Sequence, residues 1–237
     1  MPWTRAGPYA DGMCGRFALR APRPALNETF GLDRVPQAPA RHNIAPGQLV
    51  EAVVAEASGR RHMRLFRWGL VPSWSKDPAQ GARLINARSE TALDKPAFRA
   101  AMRYRRCLIP ADGFYEWQAL ARGKQPWFFE PEEGGLLALA GIWEAWQGPG
   151  GEVLETCAVL TQEAVGRVRE IHERMPVIVP WALCGDWLSA NLQDPRGIAA
   201  LLESCVPPGL RAWSVGPGVN NPRHDGPECS RPLEPGG

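Results

Sequence analysis

Apolar residues recur at strand spacing through the middle of the chain. Short segments either alternate between apolar and polar positions or run apolar, and Pro/Gly turns separate them. A period of two places alternate side chains on the two faces of a sheet, so this pattern predicts β-strands. The predicted strands are 49–56, 62–68, 107–109, 114–118, 127–130, 136–146, 153–161 and 176–179.

The segments between these strands predict short helices and loops. Helices are expected at 22–30, 96–105, 162–170, 181–190 and 198–205, and prolines stand at the start of several of them. Pro and Gly residues predict loops at 37–48 and 68–84, and a turn at 110–113. Neither a repeat nor a linker interrupts this order, so the pattern predicts a single α+β domain.

Both ends of the chain differ from this pattern. Residues 1–12 contain two prolines, two glycines and no periodicity, which predicts a disordered leader or a mis-assigned start before Met13. Pro and Gly dominate after residue 207, and 223–237 is expected to be a loose tail.

Trp68 ends a predicted strand and is expected in the core.

Basic residues concentrate in one part of a nearly neutral chain. The 237 residues include 27 Lys or Arg and 25 Asp or Glu, yet residues 60–106 contain twelve basic and three acidic side chains. This asymmetry suits a phosphate backbone. Solvated surface arginines are the alternative explanation, and Arg103, Arg105 and Arg106 fit either.

The six cysteines form neither a zinc-binding nor a disulfide pattern. They are irregularly spaced, without a Cys-x-x-Cys pair or a histidine at zinc-ligand spacing. No stretch approaches eighteen apolar residues, and residues 1–12 lack the apolar centre of a signal peptide. We therefore expect a soluble, cytoplasmic monomer with reduced thiols and without a metal or other cofactor.

Cys14 follows a methionine that could itself be the start of translation. Removal of Met13 would leave Cys14 with a free α-amine and a free thiol, and this 1,2-aminothiol closes a five-membered ring on an aldehyde. Residues 1–12 would block the amine. The functional interpretation therefore depends on Cys14 being exposed, either by a start at Met13 or by cleavage.

Four residues have the side chains that a nucleophile, an acid/base and an orienting group require. They are Cys14, Asn86, Glu116 and His172. Each also has an ordinary structural explanation. An isolated cysteine is commonly a small buried apolar residue, and Glu116 between two aromatic residues could face outward from a strand. His172 could end a helix, and Asn86 could cap a turn. Sequence distance alone does not unite them.

Six short motifs occur in order along the chain: MCGRF at 13–17, NIAPG at 43–47, WGLVPSW at 68–74, NARSE at 86–90, GFYEW at 113–117 and HERMP at 172–176. Together they resemble the SOS response-associated peptidase (SRAP) family, also called abasic site processing proteins. The resemblance covers residue 13 to about residue 220. It implies one SRAP domain, 13–222, with a β-rich barrel-like centre flanked by short helices.

The resemblance also implies a function. Family members crosslink an N-terminal cysteine to the aldehyde of an abasic site in single-stranded DNA as a thiazolidine. Cys14 matches that cysteine. Asn86 would position it, His172 would donate a proton as the sugar opens, and Glu116 would move protons. The positions matching DNA-binding residues are Arg16, Asn43, Pro46, Trp74, Arg88 and Thr161. Ser75 stands where some relatives have another aromatic residue, so the stacking platform is expected to be smaller.

Three functional hypotheses follow. The first is an abasic-site sensor that forms this crosslink in the cytoplasm, on nucleoid DNA, with AP-lyase and self-processing peptidase activity as further possibilities. The second is a cysteine peptidase acting in trans through Cys14, His172 and Asn86, which needs no free amine. The third is a non-covalent single-strand binder that uses Trp74 and the arginines. None requires a membrane.

Overall fold

The computed structural model describes residues 14–234, which contain twelve strands and six α-helices. The strands are β1 (Arg16–Leu19), β2 (Arg41–Ile44), β3 (Leu49–Ala55), β4 (Arg61–Trp68), β5 (Asn86–Arg88), β6 (Arg106–Ala111), β7 (Gly113–Ala119), β8 (Lys124–Pro131), β9 (Leu137–Gln147), β10 (Val153–Glu163), β11 (Arg174–Pro176) and β12 (Leu210–Ser214). The helices are α1 (Arg23–Phe30), α2 (Ser89–Ala92), α3 (Arg99–Tyr104), α4 (Gly166–Arg169), α5 (Cys184–Leu188) and α6 (Pro195–Glu203). Short 3₁₀ helices occur at Pro78–Arg83, Trp181–Leu183, Pro217–Asn220 and Pro227–Ser230.

Five of the strands close into a barrel. β10 pairs with β4, β4 with β3, β3 with β6, β6 with β9, and β9 again with β10. Closure leaves these strands without a free edge and encloses apolar side chains. Gly141 of β9 illustrates the tight packing, because a Cβ atom there would lie 2.8 Å from Sγ of Cys107. The predicted α+β class and barrel-like centre are confirmed.

A second sheet of five strands, in the order β12-β8-β7-β1-β2, lies beside the barrel; it contains Glu116 in β7, and Cys14 precedes its strand β1. The chain passes from the barrel strand β6 into β7 with only Asp112 between them. The predicted turn at 110–113 is therefore wrong. The carboxylate of Asp112 accepts hydrogen bonds from the backbone N–H groups of Arg20 and Ala21, and this fixes the junction of the two sheets.

Most predicted strands are confirmed, whereas the short elements differ. The predicted loop at 37–48 contains β2, which pairs with β1. The predicted helix at 162–170 is helical only in α4, because β10 continues to Glu163 and pairs with β11. α3 begins at Arg99, three residues after the predicted start. Trp68 is buried as predicted, and its indole N–H donates to the carbonyl of Ile85 at 2.8 Å.

The helices are short and lie outside the barrel strands. The longest described helix, α6, has nine residues and begins after Asp194, whose carboxylate accepts a capping hydrogen bond from the N–H of Gly197 at 2.9 Å. The predicted helix at 181–190 divides into a 3₁₀ turn and α5. Within residues 14–234, no helix combines the length and the apolar composition needed to cross a membrane.

The C-terminal segment, residues 217–234, packs against the second sheet. Asp225 accepts hydrogen bonds from the backbone N–H groups of His42 and Asn43 at 2.6 and 2.7 Å, and Cys229 is buried. The sequence predicts a loose tail from residue 223, and the structure differs from that prediction at 223–234. The reason is that β2 needs hydrogen-bond partners on its outer edge, and Asp225 provides one.

Candidate active site

Cys14 lies two residues before the start of β1, beside the junction of the second sheet with the barrel. Its accessible surface is 1 % of the maximum. Its carbonyl oxygen accepts a hydrogen bond from Nδ2 of Asn86 at 2.9 Å. Asn86 begins β5, which runs parallel to the end of β10, and the indole of Trp68 holds the preceding carbonyl of Ile85. The barrel therefore fixes the amide that holds Cys14.

Glu116 reaches the same region from β7, the neighbour of β1 in the second sheet. The residue is 2 % exposed, and Oε2 lies 3.7 Å from Nδ1 of His172. Oε1 is buried without a hydrogen-bond partner among the described residues. Glu116 therefore does not face outward from the strand, which was its ordinary explanation.

His172 lies in the short connection between α4 and β11. Its Nδ1 accepts a hydrogen bond from the backbone N–H of Arg174 at 3.0 Å. The lone pair of Nδ1 is used in this bond, so the neutral ring carries its proton on Nε2. The carbonyl of Arg174 is also 3.0 Å from Nδ1, which gives the protonated ring an acceptor. The backbone of β11 thus supports both charge states of the imidazole.

Burial shapes the electrostatics of the site. It raises the pKa of the Cys14 thiol well above its usual value, and the charge of Glu116 raises it further, while the backbone N–H of Arg16 opposes the shift. Burial likewise raises the pKa of Glu116 well above the usual carboxyl range. The two neutral forms avoid adjacent negative charges. Oδ1 of Asn86 and Oε1 of Glu116 stay buried acceptors without a described donor, an arrangement suited to an ammonium group or another donor.

The structure thus brings the four predicted catalytic residues together. Asn86 holds Cys14, the charge of Glu116 acts on the Cys14 thiol, and Glu116 is next to His172. Such a site offers a nucleophile, a buried carboxyl that can exchange protons and an imidazole with a fixed tautomer. Among residues 14–234, no three His, Cys, Asp or Glu side chains cluster in a way that could hold a metal ion.

Of the residues predicted to bind DNA, Arg16 and Asn43 contribute to internal hydrogen bonds. Arg16 donates to Oδ1 of Asn43 at 3.0 Å and to the carbonyls of Val219 and Asn220. Asn43 is 0 % exposed, and its Nδ2 faces three carbonyls of the C-terminal segment at 2.6–3.1 Å. The side chain of Asn43 therefore supports this segment and has no surface to offer a strand.

The other predicted DNA contacts divide into buried and exposed residues. Pro46 and Thr161 are buried. Trp74 is 61 % exposed, in a loop that Trp146 anchors by donating its indole N–H to the carbonyl of Ser75 at 2.7 Å. Arg88 is exposed on the wall of a cleft of about 540 Å³. Charged residues dominate the rest of this wall: Arg169, His172, Arg174, Glu163, Glu170 and Glu173.

The structure also corrects the prediction of a basic track. Arg106 is buried and donates to five backbone carbonyls, and burial lowers its pKa to about 10. Arg105 pairs with Glu144 at 2.6 Å, and Arg64 pairs with Glu155. These three arginines stabilise the fold, so the high count of basic residues in 60–106 overstates the charge available to a phosphate backbone.

Sequence reasoning assigned no role to Arg174 and Glu90, which form an ion pair beside His172. Both residues lie within recognised motifs, HERMP and NARSE, and that position was the available signal. Trp117 was also passed over. Its indole N–H donates to Oδ1 of Asn220 at 2.8 Å, and the guanidinium of Arg16 lies 6.0 Å from its ring centroid.

Comparison with known proteins identifies relatives along nearly the whole chain. The family model described as SOS response associated peptidase (SRAP) matches residues 13–222. Abasic site processing protein YoqW of Bacillus subtilis (strain 168) is 37% identical over 220 residues, covering 91% of this chain and 98% of that protein. Abasic site processing protein HMCES of Gallus gallus is 37% identical over 207 residues, covering 76% of this chain and 60% of that protein.

Solved structures share the fold. A protein from Bacteroides thetaiotaomicron superposes with a TM-score of 0.78 at 20% identity, covering 93% of this chain and 100% of that chain. A protein from Bordetella bronchiseptica gives a TM-score of 0.71 at 26% identity and covers 86% of this chain and 100% of that chain. The first likeness concerns the architecture alone.

Proposed function

The chain belongs to the SOS response associated peptidase family, and from that premise we propose that it processes abasic sites in single-stranded DNA by covalent attachment through Cys14. The names of YoqW and HMCES as abasic site processing proteins support the substrate. The observation that carries the proposal is the juxtaposition of Cys14, Asn86, Glu116 and His172 around two buried oxygens without described partners.

The proposed reaction converts an aldehyde and an aminothiol into a ring. Nε2–H of His172 protonates the ring oxygen of the abasic sugar as the bond from C1′ to that oxygen breaks, and the proton of the C1′ hydroxyl returns through water to Nε2, so that the sugar opens to an aldehyde and the neutral imidazole is restored. The α-amine of Cys14 adds to C1′, and the resulting carbinolamine loses water to give an imine. The Cys14 sulfur then adds to C1′ while its proton passes to the nitrogen. One water leaves in total.

Glu116 is the proposed proton carrier in these steps. Its buried carboxyl would take a proton from the Cys14 ammonium and return it to the departing hydroxyl. A nearby ammonium would favour the ionised carboxylate, so the raised pKa of Glu116 would fall when the α-amine is free. Amine and thiol belong to one residue, so ring closure is intramolecular.

Arg88 on the wall of the cleft and the exposed Trp74 are the proposed DNA contacts. Arg88 would bind a phosphate, and Trp74 would stack on a base, a contact worth about 1–3 kcal/mol. Arg16 would act from the edge of the site while it holds the C-terminal segment. Asn43, Pro46 and Thr161 would support the DNA channel from beneath, because their side chains are buried.

The test is intact-mass analysis after mixing the protein with an abasic single-stranded oligonucleotide. Protein that begins at Cys14 should gain the mass of the oligonucleotide minus one water. The Cys14→Ser variant keeps the amine and loses the thiol, so it should give only an imine that borohydride traps. The variant should still bind intact strands with a salt-dependent affinity. Equal adduct formation by this variant would overturn the proposal.

The same experiment separates the other hypotheses. Protein that retains residues 1–13 should form no thiazolidine, because its Cys14 nitrogen is an amide. A cysteine peptidase acting in trans would still turn over a peptide in that form. Reactive peptidase thiols have lowered pKa values, whereas burial raises the pKa of the Cys14 thiol. A purely non-covalent binder would show equal affinity for intact and abasic strands and no adduct.

A further inference from the structure

Glu90 and Arg174 form a two-pronged ion pair behind His172. Nη1 of Arg174 donates to Oε1 of Glu90 at 2.7 Å, and Nη2 donates to Oε2 at 2.9 Å. Nη2 also donates to the carbonyl of Thr161 in β10 at 2.8 Å. The Arg174 side chain is 10 % exposed and the Glu90 side chain 47 %. Bidentate charge-assisted contacts of this kind fix the orientation of a guanidinium.

The backbone of the same arginine holds the imidazole. The N–H of Arg174 donates to Nδ1 of His172 at 3.0 Å, and Arg174 pairs with Glu163 in the short ladder between β10 and β11. β11 has only three residues, so its own ladder provides few hydrogen bonds. Backbone hydrogen bonds at Glu173 and Val177 flank this ladder, and the side-chain contacts of Arg174 add a further attachment at the residue that holds the imidazole.

We propose that Glu90 is a positioning residue for the crosslinking reaction: it fixes Arg174, and the backbone of Arg174 keeps the proton of neutral His172 on Nε2. This inference rests on the proposed function, because it concerns the acid that opens the sugar. Glu90 itself touches neither Cys14 nor, in the proposal, the DNA. The competing explanation is that Glu90 merely occupies the guanidinium that a DNA phosphate would otherwise bind.

Glu90→Gln is the informative variant, since it keeps the size of the side chain and removes its charge. The matched control is Glu155→Gln, which also removes a carboxylate that is paired with an arginine, Arg64. Glu155 lies in β10, the strand whose Thr161 carbonyl accepts a hydrogen bond from Arg174. Single-turnover crosslinking is measured against DNA concentration and pH. Glu90→Gln should lower the maximal rate about tenfold, part of the 10²–10⁴-fold that acid/base catalysis contributes. The half-saturating DNA concentration should change less than about twofold, and Glu155→Gln should match the wild type.

A double-mutant cycle identifies the route of the effect. If Glu90 acts through the imidazole, Glu90→Gln should have no further effect on the maximal rate in a His172→Gln background. The chain has four histidines, so nitrogen NMR can follow His172 directly. The wild type should show an unprotonated Nδ1 at neutral pH, and Glu90→Gln should show a mixture of tautomers. Glu90→Asp keeps the charge and should restore part of the rate.

The outcomes separate the two proposals. A wild type that forms no adduct refutes the proposed function, whatever the variants do. A wild type that crosslinks, together with a Glu90→Gln variant of unchanged maximal rate and several-fold tighter binding to intact strands, overturns the positioning role in favour of competition with phosphate. Equal losses from Glu90→Gln in the wild-type and His172→Gln backgrounds also overturn it.

Discussion

Two buried polar clusters adjoin Cys14, and they differ in how well their polar atoms are paired. The closed cluster comprises Arg16, Asn43 and the carbonyls of Val219, Asn221 and His224, where the Asn43 amide has partners for both its oxygen and its nitrogen. The open cluster comprises Cys14, Asn86, Glu116 and His172. In it, Oδ1 of Asn86 and Oε1 of Glu116 have no hydrogen-bond partner among the described residues.

This difference in hydrogen-bond pairing distinguishes a polar cluster that supports the fold from one that is available to a substrate. A buried polar atom without a partner costs about 1–3 kcal/mol, so folds rarely keep one where nothing uses it. The closed cluster attaches the C-terminal segment to β2 and meets the usual rule. The open cluster departs from that rule beside a cysteine, which is where an incoming substrate or a free amine would supply donors. Burial alone therefore does not distinguish the two clusters; the two unpaired acceptors beside the cysteine do.

Exchanging the two asparagines for alanine tests the comparison with the largest expected effects. Asn43→Ala removes the Asn43 amide donor from the carbonyls of Asn221 and His224 and the amide acceptor from Arg16, and it should lower the free energy of unfolding by about 3 kcal/mol. Asn86→Ala removes one hydrogen bond and should lower it by about 1 kcal/mol. Its crosslinking rate should fall about 100-fold, because Cys14 loses its positioning contact. Denaturant unfolding and single-turnover crosslinking measure the two quantities.

Each asparagine serves as the control for the other. The Asn43→Ala variant should be assayed well below its melting temperature, where it is folded. Its crosslinking rate should then lie within about threefold of the wild-type rate, which corresponds to a change of about 0.6 kcal/mol in the activation barrier. The comparison fails if the two variants lose stability equally and activity equally.

Glu116→Gln sharpens the comparison through pH. The folded-state pKa of Glu116 is raised by burial, so the contribution of Glu116 to stability is greatest below the unfolded-state pKa of about 4.3 and falls as the pH rises towards the folded-state value. The loss is about 1.4 kcal/mol per pH unit within that window. Glu116→Gln removes this titration, so its stability relative to the wild type should increase with pH. Urea denaturation from about pH 4.5 to 7.5 measures the difference.

A difference in stability that does not vary with pH would show that Glu116 is not strained by burial. The crosslinking rate provides a second reading. The amide of Gln cannot exchange a proton as a carboxyl does, so the variant should be more stable and slower at neutral pH. This is the usual trade between stability and activity at a site with unpaired polar groups.

Trp74→Ala should produce the smallest effect and lies outside both clusters. The side chain is largely exposed, so its removal should change the free energy of unfolding by less than about 0.5 kcal/mol. Binding to intact single strands should weaken by about 1–2 kcal/mol through loss of base stacking. Fluorescence anisotropy with a labelled oligonucleotide measures this loss. Trp68→Ala is the contrasting change, since that indole is buried and its loss should cost about 3–5 kcal/mol of stability.

Long strands were predictable from the sequence, and short ones were not. β3, β4, β9 and β10 have at least seven residues each, enough to display their period. β2, β5 and β11 have three or four residues, too few to display a period, and β5 is held by pairing with β10, which is distant in sequence. The region 162–170 shows the same limit, because pairing with β11 overrides its local helical preference in the first two residues.

The site was predictable in its membership and not in its geometry. The motifs identified Cys14, Asn86, Glu116 and His172, yet only the fold places Glu116 next to His172 and leaves two oxygens unpaired. Asn43 and Arg106 show the opposite case. The family resemblance suggested a DNA contact for Asn43, and the local charge suggested a surface role for Arg106. Tertiary structure turns Asn43 towards the carbonyls of the C-terminal segment and surrounds Arg106 with five backbone acceptors. Burial of a polar side chain depends on distant partners that local sequence does not reveal.

The hydrogen bond between Arg16 and the carbonyl of Val219 joins residues 203 positions apart, and this separation has a consequence during synthesis. A ribosome adds roughly 5–20 residues per second, so Arg16 emerges on the order of 10–40 s before its partner exists. The loop that this contact closes is among the longest in the chain, and such contacts form late in folding. The surroundings of Cys14 are therefore completed only when translation is nearly over. The reactive centre is among the first parts of the protein to be made and among the last to be assembled.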